Sequence, residues 1–187
     1  MKLKEMKKKV LGLIEELNPE SELLTDDPDI ATKINDVINQ VMFEMVRFRK
    51  LPGYVEIKVK KGELINFERI EEEGQYAVYQ LGKVGGVNYE PKADGTILKI
   101  LEDGVLEVEY YKYPESITEK TKDSSYEFEL PQDVLEMMPY GIAGDLLKSD
   151  VSTNYGRDYS DRYENMKREL DSRYAVSSIS VRGGYRF

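Results

Sequence analysis

The feature that most constrains this chain is a single apolar stripe. Ile30, Ile34, Val37, Ile38, Val41, Met45 and Phe48 recur at three- and four-residue spacing. That period carries one face through about five helical turns. Asp26 or Asp27 sits where an N-cap belongs, and Pro28 falls in the first turn, where a missing N–H costs nothing. A helix this long with one greasy side must be covered by other elements. Leu3, Met6, Val10, Leu13, Ile14 and Leu17 predict a first partner helix over Leu3–Leu17, ended by Asn18-Pro19.

After Leu51-Pro52-Gly53, taken as the stop of the long helix, the period changes from helical to alternating. Tyr54–Lys60 predicts a strand, with Lys61-Gly62 as a tight turn into Glu63–Glu71. Gln75–Leu81 predicts another, followed by a glycine-rich loop over Gly82–Gly86. Thr96–Glu102, Asp103-Gly104 and Val105–Tyr113 spell a hairpin, because Asp-Gly suits a type I′ turn. That turn would set Leu101 opposite Leu106 and Ile97 opposite Tyr110 on the apolar face. Leu98 with Glu109 and Ile100 with Glu107 would fall on the other. Ser125–Glu129 is a candidate closing strand.

Helical spacing returns at Leu130-Pro131, with Val134, Leu135, Met138, Ile142, Leu146 and Leu147 in register. Pro139 lies inside that run and should kink or split it. Gly141, Ala143 and Gly144 are small enough to admit a close neighbouring helix. Tyr155–Tyr174 predicts the last helix, striped with Tyr155, Tyr159, Tyr163 and Tyr174. The expected fold is α+β: a frame of about four helices interrupted by an antiparallel β insertion, with an extended C-terminal tail. The expected bounds are 1–53 and 131–174 for the frame, 54–130 for the insertion and 175–187 for the tail.

Composition narrows the function. The 187 residues include no His and no Cys, which removes the commonest general base, the commonest zinc ligand and every thiol nucleophile. Carboxylate, Lys and Tyr chemistry stays open, so catalysis is disfavoured, and no cofactor is expected. The formal net charge of -9 opposes general nucleic-acid binding, which needs clustered cations. Lys2, Lys4, Lys7, Lys8 and Lys9 are the local exception, taken as a solvated helix face. No apolar run suits a membrane span, and the N-terminal segment lacks a signal-peptide core, so a soluble intracellular protein is expected.

The chemical motifs are weak. Gly82-Lys83-Val84-Gly85-Gly86 lacks the P-loop pattern and a following helix, so a turn accounts for it better. Asp26, Asp27 and Asp29 lack the Gly and terminal Glu of a calcium loop, and helix capping explains them. Glu107 and Glu109 share a strand face as a glycosidase pair might be sought, with nothing else marking a sugar cleft. Fourteen Tyr against five Phe favours surfaces that are wet in the free subunit and covered in an assembly. The tail supports the same idea. Val176, Ile179 and Val181 alternate ahead of Arg182-Gly183-Gly184-Tyr185-Arg186-Phe187, with no acidic side chain. Such a segment can add a strand to another subunit, with Arg182 and Arg186 pairing acids and Phe187 filling a pocket.

The capped helix DDPDIATKINDVINQVMFEMVRF, the pair Tyr113-Pro114, and LPQDVLEMMPYGIAGDLLKSD followed by NYGRDYSDRYENMKRELDSRY and the tail resemble the head-to-tail connector (neck adaptor) proteins of tailed bacteriophages. The likeness covers the helical frame and tail, roughly half the chain. It rests on loose hydrophobic patterns, and the β insertion is larger than in all-helical members. The resemblance implies a virion protein of the neck, made in the bacterial cytoplasm. It implies a ring, usually a dodecamer, docked on the portal protein and offering a platform to the next neck or tail protein. DNA would pass through its lumen without specific binding. Val176, Ile179, Val181, Arg182, Tyr185, Arg186 and Phe187 would then engage the portal. Ile34, Val41, Met45, Gly141, Gly144, Tyr155 and Tyr159 would form the subunit interface. Two alternatives stand beside it: a tail-completion or stopper protein at the same junction, and a carbohydrate- or ligand-binding module using the β insertion.

Overall fold

Asp27 begins a helix of 21 residues as its N-cap: its Oδ1 accepts the N–H groups of Asp29 at 2.8 Å and Ile30 at 3.2 Å. The computed structural model describes residues 1–67, 78–92, 97–148 and 154–175. Its elements run α1 (Leu3–Leu13), α2 (Pro28–Phe48), β1 (Leu51–Val59), β2 (Leu64–Asn66), β3 (Val78–Gly85), β4 (Tyr89–Lys92), β5 (Ile97–Ile100), β6 (Gly104–Lys112), α3 (Gln132–Leu146) and α4 (Tyr155–Ala175). The fold is mixed α+β, with four helices and two small antiparallel sheets among the described residues.

Two compact units divide the chain, residues 1–42 with 117–187 and residues 43–116. In the first, α3 packs against both α1 and α4. Its interior includes Leu3, Met6, Val10 and Leu11 from α1, Ile34, Ile38, Val41 and Met42 from α2, and Val134, Met138 and Ile142 from α3. Pro139 neither ends nor splits α3, which runs on to Leu146 as one helix. Residues 117–130 belong to this unit because hydrogen bonds tie them there. Ile117 and the Asn39 amide exchange two bonds, of 2.8 and 2.7 Å. Leu3 and Lys4 N–H groups donate to the Tyr126 and Asp123 carbonyls, and Phe128 N–H donates to Met1. Ser125–Glu129 therefore meets the N-terminus through one antiparallel bridge, Lys2↔Glu127, instead of closing a sheet.

The first helix stops four residues short of its expected end. Glu15 takes a left-handed φ of 62°, and Glu16 N–H bonds the Leu11 carbonyl at 2.9 Å. That is the six-to-one bond of a Schellman closure, made with glutamate where glycine usually stands. Lys7 leaves the expected solvated face: it is buried, with Nζ 2.9 Å from the Asp123 carboxylate.

In residues 43–116 the strands pair as β1-β6-β3 and as β2-β5-β4. The expected Asp103-Gly104 hairpin is not formed, since β5 and β6 lie in different sheets. Asp103 instead accepts the Lys61 N–H at 2.7 Å, and Gly104 approaches Val87 so closely that an added Cβ would lie 2.6 Å from its Cγ1. The Asp-Gly pair turns a corner between sheets. As a result Leu98 and Ile100 are buried while Leu101 is exposed, reversing the expected face. Lys61-Gly62 likewise joins strands of two sheets, with Gly62 at φ +87° donating its N–H to Ile100.

The predicted glycine loop is partly strand. Val78–Gly85 pairs with β6, with register shifts at Val78/Gln80 and Leu81/Val84. Gly82 lies against the Glu109 carbonyl, where a Cβ would stand 2.9 Å away. Pro52 and Gly53, expected as a stop, lie inside β1. Proline is tolerated there because, among the described strands, β1 pairs only with β6 and lies at the sheet edge. Val59, Phe67, Leu98, Ile100, Leu106, Val108 and Tyr110 form this unit's own core.

Candidate functional site

Where α1 and α3 end and α2 and α4 begin, the helical unit holds a cavity of about 420 Å³. It is lined by Leu13, Ile14, Glu15 and Glu16 after α1, Asp27 and Ile30 at α2, Leu147 after α3, and Tyr155 and Tyr159 of α4. Each element reaches it for a local reason. The Schellman turn sets Glu15 and Glu16 on its rim, the Asp27 cap sets the start of α2, and Gly156 lets α4 close onto Leu147. An added Cβ at Gly156 would lie 3.0 Å from Leu147 Cβ. The Tyr159 hydroxyl donates to the Leu13 carbonyl at 2.6 Å, pinning α4 to the end of α1.

The electrostatics of this cavity are one-sided. Helix C-termini carry partial negative charge, and basic residues usually offset it. Neither α1 nor α3 has a basic residue in its last turn. Glu15, Glu16 and Asp27 add three carboxylates, and among the described residues no Lys or Arg lines the wall. Lys148, beyond α3, pairs with Asp145 at 3.6 Å. Tyr155 is 63% exposed, an aromatic ring held at the opening. Ile14, Ile30 and Leu147 supply apolar wall.

The residues expected at a subunit interface divide sharply. Ile34, Val41 and Met45 are buried within the chain. Gly141 and Gly144 face α4 of the same chain. An added Cβ at Gly141 would meet the Tyr163 ring at 3.0 Å, and one at Gly144 would meet Ser160 Oγ at 2.5 Å. These five residues are already covered by the monomer, so the small-residue patch serves an internal helix contact. Tyr159 is half-buried over the cavity, and Tyr155 alone of the seven stands well exposed. The portal-binding candidates Val176, Ile179, Val181, Arg182, Tyr185, Arg186 and Phe187 lie outside the described residues.

A second concave surface, of about 410 Å³, lies on the β1-β6-β3 sheet among Pro52, Gly53, Tyr54, Gly82, Glu109, Tyr110 and Tyr111. The register sets Tyr54 beside Glu109 and Glu56 beside Glu107. Tyr54 donates to Glu56 Oε1 at 3.0 Å. That hydrogen bond raises the Tyr54 pKa above the ordinary phenol range, and the negative charges of Glu107 and Glu109 push the same way. Lys50 Nζ sits 4.9 Å from the Tyr111 ring centroid and 2.7 Å from the Gln80 amide oxygen.

Sequence reasoning missed the helical cavity because it ran the first helix on through Glu15 and Glu16 to Leu17, past the turn that closes it at Leu13. The available signal was an acidic pair at a helix end without a compensating cation. Among the described residues no cluster of three or more acidic groups is placed to hold a metal ion, and no helix is long and apolar enough to cross a membrane. No protein-family model matches the chain, and no curated protein matches it.

Proposed function

We propose that this chain is a structural subunit of the phage neck, a ring adaptor that docks on the portal and joins head to tail while DNA passes through. The observation that carries the reading is the way the helical unit is built. Helices α1, α3 and α4 and most of α2 build it, and the β unit, with a core of its own, enters the sequence between α2 and α3. Two features support it. The last helix leads into an acid-free segment with two arginines, and the -9 charge suits a conduit that does not retain phosphates. Neither catalysis nor a cofactor has a part in the reading. Ring building requires a heterologous contact that closes. Because Gly141 and Gly144 are covered within the chain, that contact falls to surfaces such as the exposed Tyr155 end of α4.

The test mixes the full chain with the portal encoded nearest to it and images the complexes by electron microscopy. A ring of density beneath the portal, lost on deletion of residues 176–187, is the expected result. A chain that stays monomeric with the portal, and whose deletion leaves particle assembly intact, overturns the reading. The rival ligand-binding module has one observation behind it, the Tyr54 and Tyr111 rings beside Glu109 in the sheet concavity. Saturable glycan binding abolished by Tyr54→Ala would favour that rival.

A further inference from the structure

We propose that a lysine face shared by α1 and the turn at residues 118–125 is a contact surface for the phosphate backbone of double-stranded DNA, independent of base sequence. The choice of DNA as the polyanion rests on the reading of this chain as a conduit, and the face adds the surface that a passing duplex touches.

Two lysine groups far apart in sequence meet in the helical unit. Lys2, Lys4 and Lys8 stand exposed along α1, and Lys120 and Lys122 stand exposed on the turn. Backbone bonds hold the two segments together, since the Leu3 and Lys4 N–H groups donate to the Tyr126 and Asp123 carbonyls at 3.1 and 3.0 Å. The turn is itself fixed: Thr121 N–H donates to the Thr118 carbonyl and Ser125 N–H to the Lys122 carbonyl, both at 3.0 Å. Asp123, the carboxylate between the two groups, is taken by the buried Lys7 at 2.9 Å. Glu5 accepts the Lys2 backbone N–H at 2.9 Å, and Glu127 lies 4.0 Å from the N-terminal amine. Within residues 1–12 and 117–127 that leaves Glu119 as the uncommitted acid. None of the exposed lysines named makes an ion pair among the described residues.

The chemistry of the face selects phosphate over other anionic partners. A helix that lies in a lipid surface needs an apolar side to bury, and Leu3, Met6, Val10 and Leu11 of α1 are already inside the unit. Protein interfaces favour aromatic residues, Met and Arg at their centre and are depleted of Lys. No Arg and no exposed large apolar side chain falls in residues 1–12 or 117–125. What remains is a set of point charges beside the Ser124 and Ser125 hydroxyls, groups that neutralise and hydrogen-bond phosphate oxygens. The forked side chains that read base edges, Arg, Asn and Gln, are absent from both stretches, so the contact rests on charge. Lys2 to Lys8 spans about 9 Å of helix, over which a duplex carries about five phosphates. The net charge of -9 keeps the contact weak, which suits DNA that slides past instead of staying bound.

The experiment titrates the full-length chain into a short fluorescent DNA duplex and reads anisotropy. Saturable binding at low salt is expected, equal for duplexes of unrelated sequence and weakened on the order of 100-fold between about 50 and 200 mM salt. Lys4→Gln/Lys8→Gln/Lys120→Gln/Lys122→Gln should weaken it roughly tenfold or more and lower the salt slope by about one per lysine, with helical circular dichroism unchanged. Lys58→Gln/Lys60→Gln/Lys61→Gln/Lys83→Gln removes the same charge from exposed positions of the β unit and should leave most of the binding. No saturable binding at low salt overturns the inference, and so does equal loss in the two variants. Anionic vesicles or polyglutamate held through these lysines as tightly as the duplex overturn it too, and an RNA duplex bound more tightly overturns the choice of DNA. Portal docking is scored separately with the unmodified chain. Rings on the portal from a chain that ignores DNA defeat this inference alone. DNA held at these lysines by a chain that never docks defeats the adaptor reading alone.

Discussion

Asp27 shows how much one side chain does at a helix start. It accepts two of the N–H groups that α2 cannot satisfy internally, while Pro28 removes a third from the account. Asp27→Ala should lower stability by about 1 kcal/mol, and Asp27→Asn should recover most of it, as read from denaturant midpoints. Gly144 is a sharper case. A methyl there would stand 3.1 Å from Ser160 N and 3.2 Å from the Gly156 carbonyl, so backbone as well as side chain must yield. Gly144→Ala should cost about 1–3 kcal/mol by forcing α3 and α4 apart, visible as a lowered Tm. If Gly144→Ala left stability unchanged but blocked self-association, the glycine would belong to a subunit contact after all. The need for a small residue was legible in the sequence. Its partner was not, because a glycine on a helix face does not say which helix approaches it.

At the scale of elements, the helices were legible through their periodicity and the strand partners were not. Strand periodicity fixes which side chains share a face, but pairing depends on how loops turn, and Asp103-Gly104 serves a corner as readily as a hairpin. One capping bond to Lys61 and one close approach to Val87 decide the matter. The end of α1 was misjudged because glutamate occupies a left-handed position that usually announces itself as glycine. The link between α1 and residues 117–130 was also invisible, since Lys7 looked like one more member of a basic face. Its ammonium is largely buried, whereas Asp123 is 33% exposed. Removing Asp123 strands a nearly buried cation, so Asp123→Ala should cost on the order of 1–3 kcal/mol, discounted because the pair is partly wet. Lys7→Met keeps the stem and needs no counter-ion, so it should cost less. Equal losses in urea titration would place the energy in packing instead of the pair.

For the whole molecule, the two units place their buried apolar groups separately. Val59, Phe67, Leu98, Ile100, Leu106, Val108 and Tyr110 all fall within residues 43–116, while Leu3, Met6, Met42, Met138 and Ile142 fall in the helical unit. The switch from helical to alternating period and back made this α+β organisation readable in advance. The boundary at 116/117 was not readable, because it is set by hydrogen bonds of residues 117–130 to Asn39 and to the N-terminal segment. Separate cores imply separable stability. Leu106 is fully buried, so Leu106→Ala should cost the β unit about 2–5 kcal/mol through lost burial and the cavity left behind. Amide hydrogen exchange should then rise across β1, β3 and β6 while α1 and α3 keep their protection. Simultaneous loss of protection in both units would mean that they unfold as one.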